Sequence, residues 1–295
     1  MTAATFFKFL RPVTLAAPCA GVVGGAVAAS AATGLPLPAW RLLAAVSSAL
    51  LLTGASNGIN QIADIECDRI NRPDRPLPSG AMTHRQALAL VVGLASGAIA
   101  LAALVNVYYF ACVVLTLPVT TLYSVPPLRL KRVPFVANAS IATPRGLLLV
   151  VAGWAVGGGF ELRAAWVLGL VAWLYVFGAA TTKDFADTEG DRATGCKTLP
   201  VIWGSRRAAW FVAPFLVLPF LLYPVAAHMT WLEGGLGPWL GLGTALAAVG
   251  VVAGALLVRN PAPRKDGRNH PAWGLMYLQL IAAHLGAAAI YVLAV

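Results

Sequence analysis

The sequence predicts an all-α polytopic membrane protein: nine transmembrane helices, two four-helix halves plus a ninth helix, in a single domain over residues 1–295. Three observations lead there. Of the 295 residues, 59% are hydrophobic and only 11% are charged, with a mean hydropathy of +0.77; a soluble chain carries about a quarter charged residues. Nine apolar stretches are long enough to cross a bilayer or nearly so. The basic residues fall on alternate connections, as they do in a chain that threads a membrane.

The stretches lie at 13–33, 42–62, 87–105, 107–125, 135–157, 164–182, 208–226, 236–258 and 272–294. Lipid offers the backbone no hydrogen-bond partner, so each must be a helix. The alternating pattern of a membrane barrel is absent, and the connections are too short to hold a soluble domain. Lys8 and Arg11 precede the first stretch. Arg69, Arg72, Arg75 and Arg85 follow the second, and Arg129, Lys131 and Arg132 the fourth. Lys183, Arg192, Lys197, Arg206 and Arg207 follow the sixth, and Arg259, Arg264, Lys265 and Arg268 the eighth. Of the 21 basic residues only Arg41, Arg145 and Arg163 lie elsewhere.

A miscount of one helix would destroy this alternation. The positive-inside rule then puts the N-terminus in the cytoplasm, across the inner membrane from the C-terminus. The net charge of +10 belongs to one membrane face. It is read as an orientation signal with attraction to anionic lipids, not as a nucleic-acid surface. Lys8 and Arg11 before an apolar run, with an AxA-like sequence around 27–32, also have the outline of a signal peptide; the charge pattern is counted here with the first helix retained. Cys19, Cys67, Cys112 and Cys196 are scattered and form no CxxC pair, so neither a zinc site nor a disulfide framework is expected.

The second stretch ends in Asn60, Asp64 and Asp68, and the sixth in Lys183, Asp184, Asp187 and Asp191. On a helix, positions four apart advance by about 40°, so each row faces one way. Both helices run inward, so both rows meet the cytoplasmic surface. A lone aspartate at a helix end is usually a cap or an ion-pair partner. Here Asp64, Glu66, Asp68, Asp74, Asp184, Asp187, Glu189 and Asp191 are all but three of the chain's 11 acids, grouped at two matching ends. Facing carboxylate rows repel at short range. A hard divalent cation such as Mg2+ resolves this, with a phosphate ligand completing its shell and nearby Arg and Lys binding the phosphate oxygens.

The stretches NQIADIECDRINRPDRPLPSG (60–80), YSVPPLRLKR (123–132) and KDFADTEGD (183–191) resemble the UbiA superfamily of intramembrane prenyltransferases, over nearly the whole chain. The resemblance implies Mg2+-dependent transfer of a prenyl group from a prenyl diphosphate to a lipophilic acceptor. It implies that Asn60, Asp64, Asp68, Asp187 and Asp191, with Asp184 one turn before the second pair, hold the metal and the diphosphate. Asp64, Asp187 and Asp191 are the catalytic candidates. Tyr123 and Ser124 match a family pair near the diphosphate, Arg129 or Lys131 is the basic partner after it, and Arg11 in FLRPVT points toward the phosphates. Arg72, Lys183 and Arg145 complete the substrate-binding set. The flanks KDFADTEGD and PRGLLLV point to an aromatic acceptor of the homogentisate or quinone type. A prenylglycerol phosphate or chlorophyllide acceptor, or terpene cyclisation, is the alternative. A transporter would place its site nearer the midplane.

Other marked residues have plainer readings. Arg145 sits deep in the fifth helix, where a charge faces a cavity or a partner; it either contacts the acceptor or pairs internally. Pro144 suggests a kink, and Asn138 is expected on Arg145's face, two turns earlier. His284 and Gln279 are read as interhelical hydrogen-bonders, and Tyr108 and Tyr109 as interfacial anchors. Trp154, Trp173, Tyr175 and Phe177 are read mainly as core. The proline-rich loop 71–80 is read as a lid over the phosphate site, with Arg72 and Arg75 pointing inward.

Overall fold

A computed structural model describes residues 2–262 and 269–294; Arg264, Lys265 and Arg268 lie outside the described residues. Among these, nine helical segments are long and apolar enough to span a membrane: Pro12–Thr33, Ala39–Ala63, His84–Val105, Val107–Ser124, Val136–Val156, Arg163–Ala193, Ser205–His228, Leu236–Arg259 and Pro271–Ala294. They are called the first to ninth spans. The protein is an integral membrane protein, as its composition requires.

Neighbouring spans pack in chain order, and the ninth closes back on the first. The first span also packs on the fifth. This close approach rests on small residues, as membrane helices allow. A Cβ on Gly25 would lie 2.8 Å from the Gly153 carbonyl carbon, one on Gly153 would lie 2.6 Å from the Gly21 oxygen, and one on Gly24 would lie 2.6 Å from the His284 oxygen. The first span is thus wedged between the fifth and ninth, with its glycines against their backbones and, at Gly21, against the Leu149 side chain.

Buried polar groups tie the spans together. Gln279 on the ninth span donates to the Leu216 (3.0 Å) and Leu246 (2.9 Å) carbonyls and accepts from the Tyr175 hydroxyl (3.0 Å). One amide therefore joins four spans. Ser48 donates to the Ala98 carbonyl at 2.7 Å. Trp154 and Tyr175 are fully buried, and Trp173 stacks on Phe177 at 5.3 Å between ring centroids; all four serve packing, as expected.

Three expectations are corrected. Tyr109 is not an interfacial anchor: it is 1% exposed and donates to the Ala45 carbonyl at 2.6 Å, whereas its neighbour Tyr108 is exposed and stacks on Phe160. His284 Nε2 is buried with no hydrogen-bond partner among the described residues, because it sits among apolar side chains and glycines. Asn138 and Arg145 do not share a face. A π-helical segment, Thr143–Leu148, interrupts the fifth span between them and shifts the register. Asn138 instead donates to the Phe177 carbonyl and Thr181 Oγ1 on the sixth span.

The connections after the even-numbered spans gather at one end of the bundle. There Lys8 lies 3.8 Å from Asp74, Arg132 donates to the Thr194 carbonyl, and Arg72 donates to Asn269. At the other end Asn106 donates to the Ala155 carbonyl and Thr33 to the Gly157 carbonyl. Lys8, Arg72 and Arg132 thus share one end of the bundle, and Arg41 and Arg163 lie at the other.

Gly25→Val is expected to destabilise the protein by about 1–3 kcal/mol through overpacking against Gly153. A thermal melt in detergent checks it; an unchanged melting temperature would show that the first and fifth spans are free to separate.

Candidate active site

The two acidic rows reach the basic end differently. The second span stops at Asp64 (φ −110°, ψ 15°), and the chain resumes as a short helix, Ile65–Asn71. Asn60, Asp64 and Asp68 are therefore not on one unbroken helix, as their spacing suggested. The break lies where the Asp64 carboxylate turns toward cations from the loop after the fourth span. The sixth span, by contrast, continues through a 3-10 turn, Ala180–Lys183, into Asp184–Ala193. It carries its acids beyond the apolar stretch as one rod.

Asn71 fastens the two together. Its amide donates to the Asp187 carbonyl at 3.0 Å and accepts from the Gly190 backbone N–H at 2.9 Å. A Cβ on Gly190 would collide with the Asn71 side chain, so glycine is what permits the clamp. Asn71 and Gly190 both lie inside the motifs, yet neither signals this contact, which joins residues far apart in sequence.

Each aspartate has a defined set of partners. Asp64 accepts from Asn60 (2.9 Å) and Arg129 (3.3 Å) and forms an ion pair with Lys131. The sequence left a choice between Arg129 and Lys131; the short helical turn Leu130–Arg132 brings both to Asp64. Asp68 takes Arg75 at 2.5 Å. Asp187 takes Arg72 at 3.3 Å and Lys183 at 4.0 Å, and Lys183 is also 4.0 Å from Asp184. Asp191 accepts from Thr198 Oγ1 at 3.3 Å and from the Cys67 thiol at 3.7 Å. Arg72 and Arg75 thus both point inward from the proline-rich loop.

The electrostatics follow from this crowding. Burial pushes the Cys67 thiol up to about 12, and Asp191, Asp187 and Asp68 add to the effect, so it stays a donor. Burial pulls Lys131 down to about 8, while the Asp64 carboxylate beside it favours the ammonium. Arg11 is lowered to about 10, first by burial and then by Arg75. Arg145 lowers it further, while Tyr277 and Asp187 oppose the shift.

Asn60, Asp64, Asp68, Asp184, Asp187 and Asp191 line one pocket together with Arg11, Arg75, Tyr123, Lys131 and Lys183. Cys196 and Thr198 also line it and were not anticipated. A second, larger cavity adjoins it; Arg11, Asn60, Tyr123 and Lys183 line both. The larger cavity follows the fourth span from Ser124 to Tyr109, about 22 Å at helical rise. Its walls include Val22, Leu52, Val113, Leu148 and Ala152. Arg145 and Tyr277 face it. Among the described residues, no group of three or more His, Cys, Asp or Glu side chains is gathered closely enough to hold a metal ion. Basic side chains hold Asp64, Asp68 and Asp187 in this structure. The donors are nonetheless all oxygen, and Asp68 Oδ2 is buried with no hydrogen-bond partner among the described residues, which is the chemistry a hard cation takes.

A charged pocket opening into a long apolar cavity accommodates an amphiphile with an anionic head. Comparisons with known proteins agree. The pattern of the UbiA prenyltransferase family matches residues 20–281. The chain is 40% identical over 238 residues to a digeranylgeranylglyceryl phosphate synthase from Halobacterium salinarum, covering 79% of each chain. It is 36% identical over 233 residues to one from Thermococcus kodakarensis, again covering 79% of each. A UbiA homologue from Archaeoglobus fulgidus bound to GPP and Mg2+ has the same fold, with a TM-score of 0.73, 20% identity, and coverage of 97% of this chain and 99% of that one.

These relatives correct the expected acceptor. Their names specify a glyceryl phosphate, not a homogentisate or quinone ring, and the expectation of a role in quinone biosynthesis falls with it. The likeness in PRGLLLV and KDFADTEGD that suggested a ring is too short to outweigh identity over four-fifths of the chain. The chain belongs to the UbiA prenyltransferase family and is a membrane-embedded prenyltransferase.

Proposed function

We propose that this enzyme transfers a prenyl group of the geranylgeranyl class from its diphosphate to the free hydroxyl of a prenylglycerol phosphate. The acceptor oxygen forms a bond to C1 of the prenyl chain, the C1–O bond to diphosphate breaks, and the hydroxyl proton is lost. The observation that carries this reading is the 36–40% identity to the digeranylgeranylglyceryl phosphate synthases.

Asn60, Asp64, Asp68, Asp184, Asp187 and Asp191 would hold Mg2+. When bound, the ion offsets the charge that builds on the leaving diphosphate. Arg129, Lys131, Arg72, Lys183 and Arg11 would bind the diphosphate oxygens by charge-assisted hydrogen bonds, with the Tyr123 and Ser124 hydroxyls beside them. Most of these cations hold carboxylates in this structure. Removing only one partner of a buried ion pair leaves an uncompensated charge. Cation and diphosphate therefore suit each other as joint replacements: one for the carboxylates, the other for the basic side chains. The apolar walls of the larger cavity hold the prenyl chain and keep water from the allylic carbon.

The basic end of the bundle, with the acidic pocket, would face the cytoplasm across the inner membrane, following the positive-inside rule. A reporter enzyme active only outside the cytoplasm is expected to be active when fused after Val295 and inactive when fused before Met1. The reverse pattern would overturn this orientation.

With purified protein, Mg2+ and geranylgeranyl diphosphate, mass spectrometry of the lipid extract is expected to show an adduct with a prenylglycerol phosphate and none with homogentisate. Asp64→Ala and Asp187→Ala are each expected to lower turnover by at least about a thousandfold, the scale of lost transition-state charge stabilisation. Adducts with the aromatic acceptor alone, or full turnover by either variant, would overturn the assignment.

A further inference from the structure

Resting on that reading, we infer that Arg145, with the Tyr277 hydroxyl, binds the phosphate of the prenylglycerol phosphate acceptor and so selects phosphorylated over neutral acceptors. The inference starts from cost. Arg145 lies nine residues inside the fifth span, about 13 Å from its basic end at helical rise. An arginine at that depth is costly unless it meets a partner or a polar cavity. It has no acidic partner: among the described residues no carboxylate lies within ion-pair distance of Arg145. Among the described residues, its one side-chain hydrogen bond is to the Tyr277 hydroxyl, at 3.4 Å.

The backbone is shaped to put Arg145 there. In an uninterrupted α-helix it would share Asn138's face, which lies against the sixth span. The π-helical segment Thr143–Leu148 breaks that register and aims Arg145 into the cavity. On the other side of the segment, the Gly146 backbone lies against the sixth span: a Cβ there would stand 2.7 Å from Trp173 Cα. Such single-turn insertions recur at functional sites.

Charge division decides which phosphate this site takes. The reaction brings two anionic heads into one cavity system. The diphosphate belongs at the acidic pocket, where Arg129, Lys131, Arg72 and Lys183 already line up with the carboxylates. A second phosphate placed there would face five aspartates. Arg145 faces the larger cavity and does not line the acidic pocket. Arg11, which lines both, stands between the two sites. A guanidinium offers a planar fork to phosphate oxygens, and the Tyr277 hydroxyl adds a further donor from the facing span.

The experiment is steady-state kinetics on the full-length protein, with two acceptors: the prenylglycerol phosphate and the same prenylglycerol without its phosphate. Arg145→Gln is expected to raise KM for the phosphorylated acceptor at least about tenfold, as the loss of a charged hydrogen-bond partner implies. KM for geranylgeranyl diphosphate should stay within about twofold, which also reports an intact fold. The preference for the phosphorylated acceptor should shrink by the same factor. Arg145→Lys should recover part of it, and Tyr277→Phe should raise the same KM by a few-fold.

Equal losses with both acceptors, together with a lowered melting temperature in lipid, would show that Arg145 binds a structural lipid or only supports packing, and would overturn the inference. So would an unchanged acceptor KM in Arg145→Gln. If the wild-type protein prenylates neither acceptor, the proposed function fails, and this inference with it. If the wild type works and the variants do not discriminate, only this inference fails.

Discussion

Five aspartates are brought to one end of a lipid-embedded bundle, and the rest of the site follows from how their charge is balanced. Asp64, Asp68 and Asp187 each hold a basic partner at hydrogen-bond or ion-pair distance. The partners come from the proline-rich loop, the loop after the fourth span and, for Asp187, also Lys183 on the sixth span. Such pairs are weak evidence of stability, because burying both charges costs much of what their attraction returns. They are better understood as a balanced arrangement that a cation and a polyphosphate can exchange into. The Asn71–Gly190 clamp joins the two acidic elements.

The bundle above the site answers a different requirement. A reactive allylic carbon must sit beside strong charges yet away from water. Glycines on the first span let it approach the backbones of the fifth and ninth spans closely. Breaks in the second, fifth and seventh spans are where polar groups enter. Asp64 sits at the first break and Arg145 at the second. At the third, the Leu216 carbonyl accepts from the Gln279 amide. In each case a departure from regular helix coincides with a side chain doing something an unbroken helix would not allow.

Much of this was legible in the sequence. Nine spans follow from apolar length and the alternation of basic loops, because lipid leaves the backbone no other choice. The acidic rows stand out because acids are so scarce elsewhere. What was not legible depends on contacts between distant residues. Spacing alone predicted one face for Asn60, Asp64 and Asp68, but Arg129 and Lys131 meet Asp64 where the helix breaks. Asn138 and Arg145 look like one face until the π segment separates them. Tyr109 looks interfacial by position, yet its hydroxyl reaches the Ala45 carbonyl. The acceptor was misjudged because short flanks such as PRGLLLV carry little information about a ligand's head group.

The central claim is that carboxylates and basic side chains are released from one another jointly. Calorimetric titration of the purified protein with a non-hydrolysable geranylgeranyl diphosphate analogue, with Mg2+ and with EDTA, tests it most directly. Coupled binding requires each ligand to raise the other's affinity by the same factor, at least about tenfold for a coupling of this kind. The account predicts tight analogue binding only with Mg2+, and a matching gain in Mg2+ affinity when the analogue is bound. Equal affinity for the analogue in Mg2+ and in EDTA would contradict it.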